Sequence, residues 1–527
     1  MKKIKHIYSL MLATLVIAGA ASCSRSFLDE ELKSSYAPDN TLVDELGFEA
    51  ASTGMLTIMR NDYSNTQGLL ATFYVGTDMA ITGQPNSLQA PYEDYRNLNP
   101  QTGSLLSMWT WGYKLINAAN YIISAANNPK VLLTPEQRNF YMAEASFFRA
   151  YAYNHLSLLF GGVPLVTEPV TVPRTDYTRA GEEEVISLMI KDLQLAEKYL
   201  PDPANVKKQG RINKYVATQL LAEVMLRAKR YPEAEAAANR IIDSKFFTLV
   251  TARYGVKATA PGDPFADMFI YGNMRRSQGN TEALWVIEQQ YNVIGGAADF
   301  DQHRREWGPF YVNVSGMKIA DSLGGRGIGR IRPTNWWTYE LYEKDDMRNS
   351  RFNIRRNYYY NDPASPKYGQ PVIVKDFDTL QNIYAHTTKW YEFQPQDLQG
   401  AQSYKDRIQM RLGETYLLLA EAQLLQGKTG EAAASINVIR NRAKAAPVQA
   451  ADVTIDYILD ERARELTAEE LRRLTLVRTK KLVERVRKYN PKVAPTISDF
   501  NNLLPVPQSE IDVNKDAELK QNPGYIK

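Results

Sequence analysis

The sequence predicts a mainly α protein: stacked helical hairpins that form an α–α superhelix, with a loop-rich mixed region packed on them. Three observations predict it. Two distant segments, beginning at Leu220 and at Leu418, align without gaps, and each has the spacing of two helices joined by a short turn. Apolar residues recur at helical intervals in several further stretches towards both ends of the chain. From about residue 247 to 406 that periodicity gives way to glycine and proline clusters, short β-prone runs and many aromatic residues.

At the N-terminus, Lys2, Lys3 and Lys5 precede an uncharged, mostly apolar run from Ile7 to Ser22. A basic start, an apolar centre and small residues at the end are the pattern of a secretory signal peptide, expected over residues 1–22. Cys23 is the only cysteine in 527 residues, so no internal disulfide can form. Its place after Ala20, Ala21 and Ser22 resembles a bacterial lipobox, whose cysteine is acylated and becomes the new N-terminus. Each buried CH₂ of an acyl chain contributes about 0.8 kcal/mol, so two or three chains anchor firmly. Asp29, Glu30 and Glu31 resemble the early acidic surface-export signal of Bacteroidetes lipoproteins. Residues 23–40 are expected to be a lipidated flexible tether, and residues 41–527 one domain, with helical repeats mainly over 41–246 and 407–490. No later stretch has about 18 consecutive apolar residues, the length a membrane helix needs.

Along the body, Phe48 to Tyr63 is expected to be helical. Trp109 to Ala126 follows, with Trp109, Tyr113, Ile116, Asn120 and Ile123 in register. Thr134 is a good N-cap for a helix that Pro135 opens and Gly161–Gly162 ends. Glu183 to Leu200 is the next, stopped by Pro201. In the hairpin "LLAEVMLRAKRYPEAEAAANRI", Pro232 opens the second helix, and Ala234, Ala237, Ala238, Ile241 and Ile242 form its apolar stripe. The partner segment "LLAEAQLLQGKTGEAAASINVI" repeats Leu220, Leu221, Ala222, Glu223, Leu226, Glu233, Ala234, Asn239 and Ile241 as Leu418, Leu419, Ala420, Glu421, Leu424, Glu431, Ala432, Asn437 and Ile439. This hairpin is similar to a tetratricopeptide helix pair, which cannot bury its own face and must stack. Glu282–Gln290 and Pro371–Phe377 are expected strands, and Ile455 to about Val486 a long charged helix or a pair of helices.

Composition narrows the function. The chain has 63 basic and 59 acidic residues, too even a balance for a nucleic-acid binder. Its 32 tyrosines and 7 tryptophans suit the binding of sugars or peptides, because such rings offer flat apolar faces with a polar edge. "AQLLQGKT" (Ala422–Thr429) satisfies a relaxed phosphate-loop pattern, but its first half is the apolar face of a helix and Gly427 is a repeat turn, so no nucleotide site is expected. His155 sits in an aromatic helix, and His303 and His386 are isolated, without metal-ligand spacing. There is no G-x-S-x-G elbow, and pairs such as Asp345–Asp346 and Glu461–Glu465 are of the kind helix surfaces carry in number. Catalysis, a metal and a cofactor are therefore not expected. "GGRGIGR" (Gly324–Arg330) could cradle an anion through backbone N–H groups or serve as a supporting loop. Of Trp336, Trp337 and Tyr339, at least one tryptophan is expected in the core. Tyr358, Tyr359 and Tyr360 alternate faces if extended, which would leave one or two exposed.

At this point the chain resembles the SusD/RagB family of Bacteroidetes outer-membrane lipoproteins, nearly end to end. The residues that carry the resemblance are the lipid cysteine followed by "FLD" (Phe27–Asp29), "MAEASFFRAYAYNHLSLLFGGVPLV" (Met142–Val166), "YTRAGEEEVISLMIKDLQLAEKYLP", "GRIRPTNWWTYELYEKDDMR" (Gly329–Arg348), "RLGETYLLLAEAQLLQG", "INVIRNRA", "ERARELTAEELRR" and "LLPVPQSEI…QNPGY". One departure stands out: where the family often has "EGxRWxDLxR", this chain has "EELRRLTLVR", with Arg473 at the tryptophan position. The resemblance implies a surface lipoprotein that captures nutrients, mostly glycans and in some members peptides. It also implies a partner, a SusC-like TonB-dependent transporter, over which the protein acts as a lid. The family's ligand site is built from loops after the early helices and from the mid-chain. The positions that fall there are Tyr92, Tyr95, Arg96, Asn97, Tyr291, Trp307, Phe310 and Tyr311. The resulting expectation is a non-catalytic glycan-binding protein of the outer membrane, facing the cell exterior. Alternatives are a peptide binder of the same build, a surface hydrolase and a scaffold that binds only its transporter. Replacing Cys23 by Ala should abolish incorporation of a palmitate analogue and release the protein from the membrane fraction; equal labelling of both forms would refute the lipid anchor.

Overall fold

The helices stack on one another in the order of the sequence, with one long interruption.

The computed structural model describes residues 41–208, 210–291, 293, 301–373, 380–400 and 403–525. The signal peptide, Cys23 and the tether lie outside the described residues. α1 (Glu45–Arg60) is capped by Asp44, whose side chain accepts from the Gly47 N–H, and it buries Phe48, Met55 and Met59. α2 (Gly103–Ala126) and α3 (Pro135–Phe160) pack along each other. α3 starts as the sequence predicts, with Thr134 and Gln137 forming a reciprocal capping box and Pro135 in the first turn. It ends at Gly161, whose φ of 74° suits a residue without Cβ. From Ala143 to Phe160 every residue of α3 is buried, so this helix is the axis of the core. Among its polar members, Arg149 makes a two-pronged pair with Asp192 at 2.7 and 2.8 Å, and His155 packs with Nδ1 2.9 Å from the Tyr151 carbonyl.

α4 (Glu182–Tyr199), α5 (Lys214–Arg227) and α6 (Tyr231–Asp243) continue the stack, each against its predecessor. After the five-residue α7 (His303–Trp307), the long helices resume with α8 (Leu412–Leu425) and α9 (Thr429–Arg442). α8 packs on α6, so the two hairpins that align in sequence are neighbours in space. Ala234, Ala237 and Ala238 are buried on α6 and Ala420 and Ala422 on α8, where small side chains let helices approach. Gly427, at φ 79°, makes the turn between α8 and α9, so the phosphate-loop pattern is a repeat turn. The protein is mainly α, with stacked tetratricopeptide-like hairpins.

The region expected as one long charged helix or a pair is instead three: α10 (Ile455–Glu465), α11 (Arg472–Arg478) and α12 (Leu482–Tyr489). Ala468 and Lys480 take positive φ, at 62° and 57°, and break the run. Its charges are also not a solvated face, because Glu461, Arg462 and Glu465 are buried. α13 (Gln508–Val513) closes the described elements.

Three two-stranded antiparallel sheets tie the irregular region down: β1 (Ala80–Thr82) with β3 (Ile331–Pro333), β2 (Ala283–Ile287) with β6 (Arg407–Arg411), and β4 (Ile354–Arg355) with β5 (His386–Thr387). β2 falls inside the strand expected at 282–290. Of the strand expected at 371–377, the structure gives an isolated bridge from Pro371 to Tyr359, and residues 374–377 lie outside the described residues.

A buried ion network joins these parts. Arg348 meets Asp346 at 2.7 Å, Glu461 at 2.8 Å and Glu465 at 2.9 Å. Glu465 also accepts from Arg411 of β6 and Arg442 of α9, and Arg442 meets Glu282 at 2.6 Å. Burial alone would raise the Glu461 carboxyl, but Arg348, Arg464 and Arg440 outweigh it and hold the group down at about 2. Arg442, Arg411 and Arg348 likewise hold Glu465 well below the usual carboxylate range.

Arg473, the departure from the family pattern, is buried and donates to the carbonyls of Thr72 and Val75, each at 2.9 Å, and to the Tyr95 hydroxyl at 2.8 Å. Its guanidinium lies 4.9 Å from the Tyr92 ring centre and 5.6 Å from that of Tyr95. A flat cation thus fills an aromatic site and adds three hydrogen bonds.

Two predictions follow from the network. Glu465→Gln leaves three arginines under-compensated and should lower unfolding stability by about 3–5 kcal/mol, read as a lower urea midpoint at unchanged slope. Because the folded-state pKa of Glu461 is depressed from 4.5 to about 2, its contribution is complete above pH 4.5 and is lost as the pH falls towards 2. Urea midpoints measured across that window should decline in the native protein and decline less in a Glu461→Gln variant.

Candidate functional site

The loops between β2 and β6 meet at a face built around α7 and the Gly324–Arg330 loop. Backbone pairing holds the loop against α7: the Ile328 N–H donates to the Arg305 carbonyl at 2.8 Å, and the Gly329 N–H to Gly308 at 2.8 Å. A Cβ on Gly327 would lie 2.1 Å from the Gly308 carbonyl oxygen, so only glycine permits this approach. Arg326 and Arg330 are thereby set beside Arg304 and Arg305. A second loop closes over them, with Arg326 donating to the Gln399 carbonyl at 2.5 Å and Arg304 to the Gly400 carbonyl at 2.9 Å. Gln381 donates to the Ile328 carbonyl at 2.7 Å and completes the frame.

Two of the expected ligand residues stand on this face. Phe310 is half-buried, with the Arg326 guanidinium 5.9 Å from its ring centre. Tyr291 is half-buried, edge-on to Tyr404 at 4.5 Å. The Tyr404 hydroxyl reaches Asp397 at 3.4 Å, on the same loop as Gln399 and Gly400. Tyr291 is thus joined through Tyr404 and Asp397 to the loop that carries Gln399 and Gly400, and Phe310 lies beside Arg326.

Four other expected ligand residues are corrected. Tyr92, Tyr95, Trp307 and Tyr311 are 0, 2, 1 and 1 % exposed, so none presents a ring face. Tyr92 pairs its hydroxyl with Ser104 at 2.9 Å, and Tyr95 donates to the Gly76 carbonyl at 2.8 Å. Trp307 packs edge-on against Tyr74 at 4.8 Å. Tyr311 donates to the Gly325 carbonyl at 2.7 Å and so supports the glycine loop from beneath. The physical reason is that long loops need cores of their own, and Tyr311 builds one with Met317, Leu323, Tyr358 and Ile383. Arg96 and Asn97 are exposed, and Arg96 turns back onto Asp94 at 2.6 Å.

Sequence reasoning missed Arg304, Arg305 and Gln381; the signals were the Arg304–Arg305 pair next to Glu306 and the seven-residue glycine-arginine loop. Trp336 and Trp337 are both core, Tyr339 is exposed, and Tyr358 is buried while Tyr359 is exposed. Burial, with help from Arg355, pushes His386 down to about 3, so it is neutral, and its Nδ1 lies 2.8 Å from the Tyr358 hydroxyl. His303 stacks on Trp390 at 3.9 Å with Nδ1 3.0 Å from Asp301. Among the described residues no group of three or more His, Cys, Asp or Glu side chains is placed to hold a metal. Burial raises the Glu306 carboxyl to about 7, against the lowering effect of the Gly68 and Ala71 N–H groups it accepts from and of Arg330.

Fold and face together define a helical-repeat protein that carries a loop-built face. The chain belongs to the SusD/RagB family. The SusD family model matches residues 378–525, and a model described as "Starch-binding associating with outer membrane" matches residues 26–226. SusD-like protein P2 of Formosa agariphila is 25 % identical over 548 aligned residues, covering 100 % of both chains. Among solved structures, a laminarin-binding SusD-like protein superposes with a TM-score of 0.71 at 21 % identity, covering 91 % of this chain and 99 % of its own. Surface glycan-binding protein A from Bacteroides fluxus gives 0.69 at 22 % identity, covering 91 % and 99 %.

Burial separates the roles of two aromatic residues. Trp307→Ala should cost about 3–5 kcal/mol of stability, whereas Phe310→Ala, at a half-buried site, should cost less, both read from denaturant midpoints.

Proposed function

We propose that the protein is a non-catalytic, lipid-anchored surface protein that captures an oligosaccharide and passes it to a SusC-like TonB-dependent transporter. The observation that carries this reading is a half-buried Phe310 ring beside the Arg326 guanidinium, with a half-buried Tyr291 joined through Tyr404 to the loop that meets Arg326 and Arg304. A sugar's C–H face stacks on a ring while amides and guanidinium groups bond its hydroxyls. The similarity to proteins named for laminarin and surface-glycan binding supports the same ligand class. The Cys23 lipobox supports the anchor, and the outer-membrane description of one matching family model supports the location.

The peptide-binding alternative relies on extended backbone contacts. In native gels cast with a panel of polysaccharides, the protein should be retarded by at least one, and a Phe310→Ala/Tyr291→Ala variant should lose the retardation while keeping its thermal midpoint. Retention of peptides with no polysaccharide retardation would replace the glycan reading. The transporter partnership predicts that the tagged protein co-purifies with a β-barrel protein from detergent-solubilised outer membranes.

A further inference from the structure

The arginines of the candidate site differ from those of the buried ion network. Arg348, Arg411, Arg440, Arg442 and Arg462 are buried, and each meets at least one carboxylate. At the loop face, by contrast, Arg304, Arg305, Arg326 and Arg330 form no ion pair among the described residues. Arg304 is only 4 % exposed, yet its side-chain bond goes to a carbonyl, that of Gly400. Arg326 likewise bonds the Gln399 carbonyl, and Arg330 the Gln89 side-chain oxygen at 3.1 Å. The Nε of all four is buried without a hydrogen-bond partner.

These four cations are held together by backbone, not by mutual attraction. The Ile328 N–H bonds Arg305 and the Arg330 N–H bonds Glu306 at 3.1 Å, so the loop cannot carry its arginines away from α7. Burial and the neighbouring Arg326, Arg304 and Arg330 all disfavour the charged form of Arg305. Glu306 favours the charged forms of Arg305 and Arg330, but its oxygens accept from the Gly68 and Ala71 N–H groups and it forms no ion pair with either arginine. Concentrated, under-compensated positive charge costs stability unless an anion joins it. Guanidinium groups match the paired oxygens of carboxylate and sulfate.

We propose that this arginine cluster binds the acidic groups, carboxylate or sulfate, of an anionic polysaccharide whose sugar rings rest on Phe310. This rests on the glycan reading above and adds its charge class. The test uses matched probes: oligogalacturonide against its carboxyl-reduced form, and dextran sulfate against dextran, titrated calorimetrically with the mature protein. At least one acidic member should bind tenfold or more tightly than its neutral partner, with affinity falling as salt rises. Which pair discriminates tells carboxylate from sulfate. An Arg305→Gln/Arg326→Gln variant should lose that tenfold preference at an unchanged thermal midpoint. Equal binding of neutral and acidic partners overturns the charge assignment but leaves glycan capture standing. Binding of neither pair, together with no retardation by any polysaccharide, overturns both. Equal binding of polyglutamate also overturns it, since the cluster would then be a general anion surface.

Discussion

The buried carboxylate of Glu465 is the point on which the architecture turns. It lies on α10 and accepts from Arg348 of the mid-chain motif, Arg411 at the end of β6 and Arg442 at the end of α9. Three segments far apart in sequence converge on one charge. In a low-dielectric interior such a group is tolerated only when it is paired and hydrogen-bonded. The same requirement fixes where the loop-rich region sits, because Arg348 belongs to that region and its partners belong to the helices.

From that anchor the rest of the build follows. α6 on α8 carries the helical stack across the long interruption, and β2 with β6 pins the start and end of the interruption together. The loops between are then free to form a face rather than a core layer. Their buried aromatics, Trp307 and Tyr311, hold the face in shape, and the half-buried Phe310 and Tyr291 are left at its rim. Support and contact are therefore divided between residues that look alike in sequence.

Charge is handled in opposite ways in the two halves. In the buried ion network Arg348, Arg411, Arg440, Arg442 and Arg462 each meet a carboxylate, which makes the network a source of geometric specificity. At the loop face Arg304, Arg326 and Arg330 bond carbonyls and an amide oxygen and form no ion pair among the described residues, so their charge is under-compensated. A surface arranged this way is suited to an anion supplied from outside.

The sequence by itself determined the helices, because apolar spacing, the Thr134 cap, Pro135, Pro232 and Gly161 are local instructions. It determined the repeat, since Leu220 and Leu418 begin the same pattern. It did not determine that Ile455 to Val486 breaks twice, because Ala468 and Lys480 carry no signature of positive φ. Nor could it separate Trp307 from Phe310, or see that Arg473 would fill an aromatic site between Tyr92 and Tyr95. Burial is a property of what packs against a residue from elsewhere in the chain. Only the tertiary structure, by bringing α7, the glycine loop and the Gln399–Gly400 segment together, decided which side chains face outward.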